Sequence, residues 1–407
     1  MSDAAAPAIQ PSRSPILWGA YLACSWTWCI GMFYPTILLR DFGWVGFFIF
    51  AIPNVLGAAA MGWFIKSRVD SQRFVEKHPA AVWWFSTITL IFHVFWMLWI
   101  SNFVRLAFPI PDSYLIGVAS AVIAFSVVSS RAIRFGRAPQ LAIVLLAFSV
   151  GTLIATFTIP DLDISRQMLI ETAPDSISKS INSLWMIPLM SFGFILCPYL
   201  DITFHHARQG LETKQGGRLG FTIGFVAFFS LMILLTTRYA GVMAWAMQGE
   251  SFPDSQAITP WLGAIILAHI LCQWIFTVRV HLDRMKTIPG AAAKQPILFG
   301  LALVSGIIGL LALKLPEHSG LSGAEIVYRT FLSFYGLLFP TYMLYRAVLK
   351  KRAKSLSIMW ITIAIASPVF WMGFMERQSI WLIPGMIIVL LGAAVVKAQK
   401  TEASTTH

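Results

Sequence analysis

One carboxylate, Asp201, lies at the end of a long apolar run from Leu184 to Leu200. An ionisable side chain at membrane depth is costly unless it faces protein or water, and such residues often mark ion or substrate pathways. Pro198, just before it, removes a helical hydrogen bond and clashes with the preceding turn, and Gly193 is a second weak point in the helix. We therefore predict a broken membrane helix in which Asp201 binds a cation, a proton or a basic group of a substrate.

The alternative is that this helix is unbroken. A continuous helix from Leu184 to Leu200 rises about 26 Å, which would place Asp201 at the level of the lipid headgroups, beside His205, His206 and Arg208. In that case these residues are interfacial. A break between Gly193 and Pro198 would favour the binding role.

A second group of polar and helix-breaking residues lies in the apolar run YLACSWTWCIGMFYPTILL. With a rise of 1.5 Å per residue from Pro15, the hydroxyls of Ser25 and Thr27 are about 15–18 Å along the helix, near the middle of a bilayer. Gly31 and Pro35 follow them, so we predict an interruption here. The alternatives are that the hydroxyls bond to carbonyls of their own helix and that the tryptophans pack in the core. The predicted substrate- or ion-binding residues of this run are Ser25, Trp26, Thr27, Trp28 and Gly31.

Three other polar side chains in apolar runs are candidates for ligand contact. Asn54 follows Pro53, where it could pair with the broken first helix, and His269 and Gln273 lie in the run WLGAIILAHILCQWIFTVRV. A polar side chain inside a membrane more often hydrogen-bonds a neighbouring helix. With Gly193, Pro198 and Asp201, these residues complete the predicted site. No Ser-His-Asp set, acid pair or metal-ligand spacing can be placed in one site, so we expect neither an enzyme nor a bound metal or cofactor.

The composition predicts an all-α polytopic membrane protein. Of 407 residues, 57% are hydrophobic and only 12% are charged, whereas soluble domains carry about 25% charged residues. The net charge of +12 comes from short basic clusters between apolar runs, which is a topology signal and gives no reason to expect a nucleic-acid partner. The lipid bilayer is the expected partner.

Twelve apolar runs are long enough to cross a bilayer. Basic residues concentrate in the alternate connections 66–77, 131–137, 208–218, 279–294 and 346–354, so the positive-inside rule places both termini in the cytoplasm. We expect a multi-pass protein of the cell membrane, the inner membrane in a bacterium, with tails at 1–14 and 398–407 and no cleavable signal peptide. The predicted spans are 15–39, 43–65, 80–104, 114–130, 139–160, 182–204, 218–237, 260–279, 295–315, 325–348, 356–375 and 378–397.

The stretch ACSWTWCIGMFYPTILLRDFGWVGFFIFAIPNVLGAAAMGWFIKSR resembles the first core helix pair of the sodium/solute symporter family, whose members carry a run like Ser25 to Trp28 at an unwound helix. The Gly43 to Phe47 entry to the next helix and the basic exit at Lys66 and Arg68 also match. The resemblance implies the LeuT-type fold, which is shared with the amino acid–polyamine–organocation superfamily. Its five plus five inverted spans would be 15–160 and 182–348, followed by two extra helices at 356–397.

The coupling ion stays open between Na⁺ and H⁺. Family members usually place a Ser/Thr pair in the eighth core helix as part of a sodium site, whereas this chain has His269, Cys272 and Gln273 there. Near the start of the tenth span, Glu325 and Arg329 are four residues apart and share a helix face. They could form an anchoring pair or a gate on the outer side.

The predicted function is secondary active transport of a small polar or organic solute by alternating access, coupled to an ion gradient. The two predicted breaks are five spans apart, an odd number that requires inverted halves, as in transporters whose broken helices bind the substrate at mid-membrane. The sequence lacks a phosphate-binding Gly-x-x-x-x-Gly-Lys-Ser/Thr loop. The alternative function is a non-transporting membrane protein that acts as a sensor or partner scaffold. A major-facilitator bundle ranks third, because the connection between spans six and seven is short.

Overall fold

The structure, a computed structural model, describes residues 14–107, 137–158, 181–247, 260–349 and 355–398. Within these ranges the chain is almost entirely helical and forms no strand. Nine of the described helical segments are long and apolar enough to cross a membrane. The all-α polytopic architecture is confirmed. The number of twelve spans stays a prediction, and the predicted fourth span, 114–130, lies outside the described residues, as do most of both tails.

The helices are labelled here in chain order. They are α1 Pro15–Trp26, α2 Cys29–Phe64, α3 Arg68–Lys77, α4 Pro79–Ala107, α5 Ala138–Ala155, α6 Ile187–Leu196, α7 Ile202–Gly210, α8 Lys214–Arg238, α9 Ala240–Ala246, α10 Pro260–Met285, α11 Gln295–Leu310, α12 Gly323–Ser333, α13 Ser355–Phe374 and α14 Leu382–Ala398. Helical turns Phe334–Leu338, Phe339–Tyr342 and Met343–Val348 continue α12.

The first break interrupts the helix at its predicted polar centre. Thr27 (φ −76°, ψ 67°) and Trp28 (φ −79°, ψ −179°) separate α1 from α2. Gly31 and Pro35, which we expected to contribute to the break, lie inside α2. Pro35 is tolerated there because the Thr236 hydroxyl donates to the Gly31 carbonyl at 3.0 Å, the acceptor that a proline four residues later leaves free.

The second break lies at Asp201, after the interval from Gly193 to Pro198 in which we expected it. A 3₁₀ turn, Cys197–Leu200, follows α6, and Asp201 is extended (φ −78°, ψ 114°) before α7 begins. The Asp201 side chain accepts the backbone N–H of Thr203 and so caps the new helix. Pro198 lies before the second break, whereas Pro35 lies after the first break. The two prolines therefore do not occupy equivalent positions relative to the breaks.

A glycine divides α2 into two legs. Gly43 has φ 63° and ψ −157°, a backbone conformation that residues with a side chain rarely adopt. The helix changes direction there, at the predicted boundary between the first and second spans. The second leg ends at Phe64, and the short α3 leads to α4.

Two glycines of α2, Gly57 and Gly62, let this helix approach its neighbours closely. A Cβ atom on Gly57 would lie 2.2 Å from the carbonyl oxygen of Phe194 in α6, and one on Gly62 would lie 2.5 Å from the Cβ of Phe221 in α8. Close backbone approach of this kind is how membrane helices gain packing energy.

We predict that Gly57→Ala lowers the stability of the protein by about 1–3 kcal/mol, because the added methyl group must push α2 away from α6. The matched control is Gly300→Ala in α11, where a Cβ atom would have no neighbour within 4 Å. Thermal unfolding of the two purified variants measures the difference. Equal melting temperatures would contradict the close contact between α2 and α6.

Candidate functional site

The two breaks lie side by side. The hydroxyl oxygen of Thr203, the second residue of α7, lies 3.2 Å from the Ser25 hydroxyl oxygen at the end of α1. The rings of Trp26 and Phe204 pack against each other with centroids 4.8 Å apart. The non-helical backbone of one helix is therefore adjacent to that of the other.

Polar side chains from neighbouring helices satisfy the backbone at the first break. The N–H of Cys29 donates to Nε2 of His93 at 3.4 Å, while Nδ1 of His93 lies 2.6 Å from the Thr89 carbonyl. This arrangement requires the proton on Nδ1 and leaves Nε2 as the acceptor. The Tyr328 hydroxyl donates to the Cys29 carbonyl at 2.9 Å. The break is thus held by α4 and α12.

A cavity of about 240 Å³ lies beside the breaks, between α2, α6, α12 and α13. Its walls are mostly aromatic and aliphatic and include Tyr34, Phe334 and Tyr335. On the α13 side the lining residues Ser367 and Trp371 are exposed, so the cavity reaches the surface of the bundle there. Five of the predicted site residues line it: Trp26, Trp28, Gly31, Asn54 and Gly193.

Asn54 fixes the position of one cavity tryptophan. Its Oδ1 accepts a hydrogen bond from Nε1 of Trp26 at 2.6 Å, which is the predicted pairing of Asn54 with the broken first helix. Trp26 in turn packs on Trp28, with ring centroids 4.4 Å apart. Nε1 of Trp28 donates to the Ser25 carbonyl. The two aromatic rings are therefore oriented by hydrogen bonds as well as by packing.

A network of four charged residues lies beside the cavity, and one of them, Arg329, is part of the cavity wall. The ion pair between Glu325 and Arg329 is present at 2.6 Å, and it belongs to a larger group. Nη2 of Arg40 lies 2.7 Å from Oε1 of Glu325, and Nη2 of Arg329 lies 2.5 Å from Oδ2 of Asp41. The two positive and two negative side chains link α2 to α12. We call this group the charge network.

Arg208, near the C-terminal end of α7, hydrogen-bonds to backbone carbonyls of a neighbouring segment. Its Nε donates to the Ile65 carbonyl at 2.7 Å and its Nη2 donates to the Lys66 carbonyl, so it joins α7 to the end of α2. Close by, Oγ of Ser71 in α3 lies 2.9 Å from Nδ1 of His205. His205 and Arg208 are fully buried within the protein.

Asp201 is also fully buried. Its Oδ1 accepts from both the N–H and the hydroxyl of Thr203, each at 2.7 Å. Its Oδ2 faces Nε2 of His281 at 3.9 Å. His281 is not among the predicted site residues, because the predicted eighth span ends at residue 279 whereas α10 extends to Met285.

The other predicted residues lie outside the cavity. Ser25 and Thr27 bond to carbonyls of their own helix, those of Leu22 and Ala23, at 3.1 and 2.8 Å, which agrees with the alternative interpretation of both hydroxyls. Pro198 is buried in the 3₁₀ turn between α6 and Asp201.

His269 and Gln273 are separated from this site. Both contact the Ser149 hydroxyl of α5, each at 3.2 Å. His269 also lines a second cavity of about 290 Å³, between α5, α8 and α10. The structure therefore does not bring these two residues to the cavity beside the breaks.

The chain matches no protein-family model, and no curated protein is significantly similar to it.

We predict that Thr236→Val destabilises the protein by about 1–3 kcal/mol, because the Gly31 carbonyl then loses a donor that its own helix cannot replace. Thr236→Ser keeps the hydroxyl and should retain most of the stability. The matched control is Thr237→Val, since the Thr237 hydroxyl bonds to the Leu234 carbonyl of its own helix. Thermal unfolding compares the three variants. A loss in Thr237→Val as large as that in Thr236→Val would count against a special role for this contact.

Proposed function

We propose that the protein is a secondary active transporter that moves a small organic or polar solute across the cell membrane, driven by an ion gradient. The observation that supports this most directly is the pair of helices interrupted side by side next to a cavity. Non-helical backbone at membrane depth is tolerated only where it is buried in protein or lines a cavity. In transporters with inverted repeats, such breaks form the substrate site.

The proposed architecture is the LeuT-type arrangement of five plus five inverted spans followed by two more. The breaks lie in the first and sixth of the predicted twelve spans, as that arrangement requires. With both termini in the cytoplasm, the charge network lies on the outer side of the membrane and Arg208 on the cytoplasmic side. Glu325 and Arg329 then act as part of an outer gate.

Alternating access needs two closures that open in turn, and the described residues provide one at each end. The charge network closes the outer end through side-chain ion pairs and through a hydrogen bond from Nη1 of Arg329 to the Phe374 carbonyl at 2.9 Å. Arg208 closes the inner end by bonding to backbone carbonyls at the end of α2. The two closures share α2 but use different legs of it and different partners: the charge network joins the leg before Gly43 to α12, and Arg208 joins the end of the other leg to α7.

The cavity walls indicate which solutes fit. Trp26, Trp28 and Tyr335 present aromatic surfaces, which favour a solute with an apolar or cationic body. The polar groups on the walls are few, among them Asn54 and Ser333. A small organic molecule with one or two hydrogen-bonding groups suits this lining best.

The direct test is uptake by vesicles that contain the purified protein. A panel of radiolabelled amino acids, amines and organic acids is supplied with a proton gradient, a sodium gradient or none. Accumulation of any solute under a gradient supports transport. If no solute moves under any gradient, the scaffold or sensor function is favoured instead.

We predict that Ser333→Trp abolishes uptake of the solute found in that panel, because the indole ring fills the cavity that Ser333 lines. The matched control is Leu303→Trp on the exposed face of α11, which should transport at the wild-type rate. Solute binding to the purified variants, measured by calorimetry, separates loss of the site from loss of movement. Normal binding and uptake in Ser333→Trp would place the solute elsewhere.

We predict that Glu325→Gln opens the outer end of the cavity. Removing one partner of a buried ion group leaves an uncompensated charge, at a cost of about 3–5 kcal/mol to the closed state. Cys197, a buried residue of the cavity wall, reports the opening through its rate of reaction with a small maleimide, located by mass spectrometry. We expect Cys197 to react about ten times faster. A tenfold change corresponds to ~1.4 kcal/mol, which is less than the expected destabilisation of the closed state.

The control for this experiment is Glu376→Gln, which removes an exposed partner of His318. It should leave the reaction rate of Cys197 unchanged. An unchanged rate in Glu325→Gln as well would show that the charge network does not restrict access to the cavity.

A further inference from the structure

Two buried polar atoms face each other across the boundary between α7 and α10. Oδ2 of Asp201 and Nε2 of His281 are 3.9 Å apart, and among the described residues neither atom has a hydrogen-bond partner. Both side chains are fully buried. We infer that Asp201 and His281 form the site of a coupling proton, a role that rests on the transport function proposed above.

The unpartnered atoms are the first reason to expect a ligand. A buried polar atom without a hydrogen bond costs about 1–3 kcal/mol, and more if it is charged. A distance of 3.9 Å is too long for a direct hydrogen bond between them. Two such atoms on different helices, aimed at each other, form a site that is complete only when something binds between them.

The donor atoms favour a proton over a sodium ion. Hard metal cations take about six oxygen ligands, whereas this site offers one carboxylate oxygen and one imidazole nitrogen. The nearby hydroxyls already have partners: Thr203 donates to Asp201 Oδ1, Ser25 donates to the Leu22 carbonyl, and Thr277 donates to the Cys24 carbonyl at 3.3 Å. A proton needs only one donor and one acceptor, and imidazole binds it near neutral pH.

The binding step conserves charge and atoms. Before binding, the carboxylate and the neutral imidazole together carry one negative charge. One proton then bonds to Nε2 of His281 and is donated as a hydrogen bond to Oδ2 of Asp201, which makes the pair neutral. A charge-assisted hydrogen bond of this type spans about 2.7–2.9 Å. Binding therefore draws α10 and the start of α7 together by roughly 1 Å.

The titratable groups around the pair come from five packed parts of the chain. They are Tyr21 on α1, His93 on α4, Tyr335 after α12, Asp283 and Arg284 on α10, and Cys197, His205 and His206 beside Asp201. Asp283 is paired with Arg279 at 3.0 Å. None of these groups hydrogen-bonds to Oδ2 of Asp201 or Nε2 of His281 within the described part of the chain.

The pair is connected to both breaks and to the cavity. Oδ1 of Asp201 accepts a hydrogen bond from the Thr203 hydroxyl. The oxygen of that hydroxyl lies 3.2 Å from the Ser25 hydroxyl at the end of α1. The His281 ring packs edge-on against Trp28, with centroids 5.7 Å apart, and Trp28 lines the cavity. A shift of His281 toward Asp201 therefore changes the packing of a cavity wall, which gives the proton a physical route to affect the solute.

The test measures the proton itself. Purified full-length protein in detergent is titrated from alkaline to acidic pH in weak buffer, and bound protons are counted with an indicator dye. In Asp201→Asn and in His281→Gln the proton has lost one of its two partners. We expect each change to lower the midpoint of one proton-binding step by about one pH unit or more, a tenfold loss of affinity.

The double variant shows whether the two residues act as one site. Asp201→Asn with His281→Gln removes both titratable groups, so the proton-binding step that each single variant shifts should be absent from the binding curve. The control pair is His318 and Glu376, an exposed imidazole and carboxylate 2.6 Å apart. The effect of His318→Gln should simply add to that of Asp201→Asn. Melting temperature and gel-filtration profile verify that each variant is folded.

Three results overturn the inference. They are an unchanged binding curve in both single variants, a proton-binding step that persists unchanged in the double variant, and a sodium-dependent signal in ²²Na binding that is lost in Asp201→Asn. In vesicles, Asp201→Asn should also abolish the dependence of uptake on a pH gradient. Transport driven by sodium with no titration of the pair would leave the proposed function standing and remove the proton site. A titrating pair with no transport under any gradient would remove the coupling role.

Discussion

The arrangement of this protein depends on one constraint: every backbone group inside a bilayer needs a hydrogen-bond partner within the protein. A continuous helix meets this constraint with its own backbone hydrogen bonds. An interrupted helix leaves some backbone groups without these bonds, so other helices must supply the partners. Here His93, Thr236 and Tyr328 bond to the backbone at and after the first break, and the Asp201 carboxylate caps the helix after the second. Four elements are thereby positioned around the breaks before any ligand is considered.

These partners also explain why the broken region is tightly packed. The donors and acceptors come from α4, α8 and the α12 segment, and each must lie within hydrogen-bond distance of the α1–α2 junction. Aromatic rings fill the space between them, with Trp28 contacting Phe85, His93, His281 and Tyr335. The cavity is the part of this region that the side chains do not fill.

The sequence predicted the helical membrane fold and the identity of the two interrupted segments, because apolar length and helix-breaking residues are local properties. It did not predict where each interruption falls. Pro35 stays helical because a partner distant in sequence, Thr236, donates to the Gly31 carbonyl that the proline leaves free. His281 was missed for a related reason: α10 continues past the apolar run, and only the three-dimensional contact with Asp201 distinguishes this histidine from His269.

The charge network carries two positive and two negative groups, so its side chains can separate or meet without moving net charge through the electric field of the membrane. Each elementary charge that crosses a potential of 100 mV changes the free energy by about 2.3 kcal/mol. Because the charge network is neutral overall, its opening and closing do not add this contribution to the free energy. Under the proposed function, the voltage of the cell would therefore act on a proton bound between Asp201 and His281 and leave the proposed outer closure equally stable in energised and resting membranes.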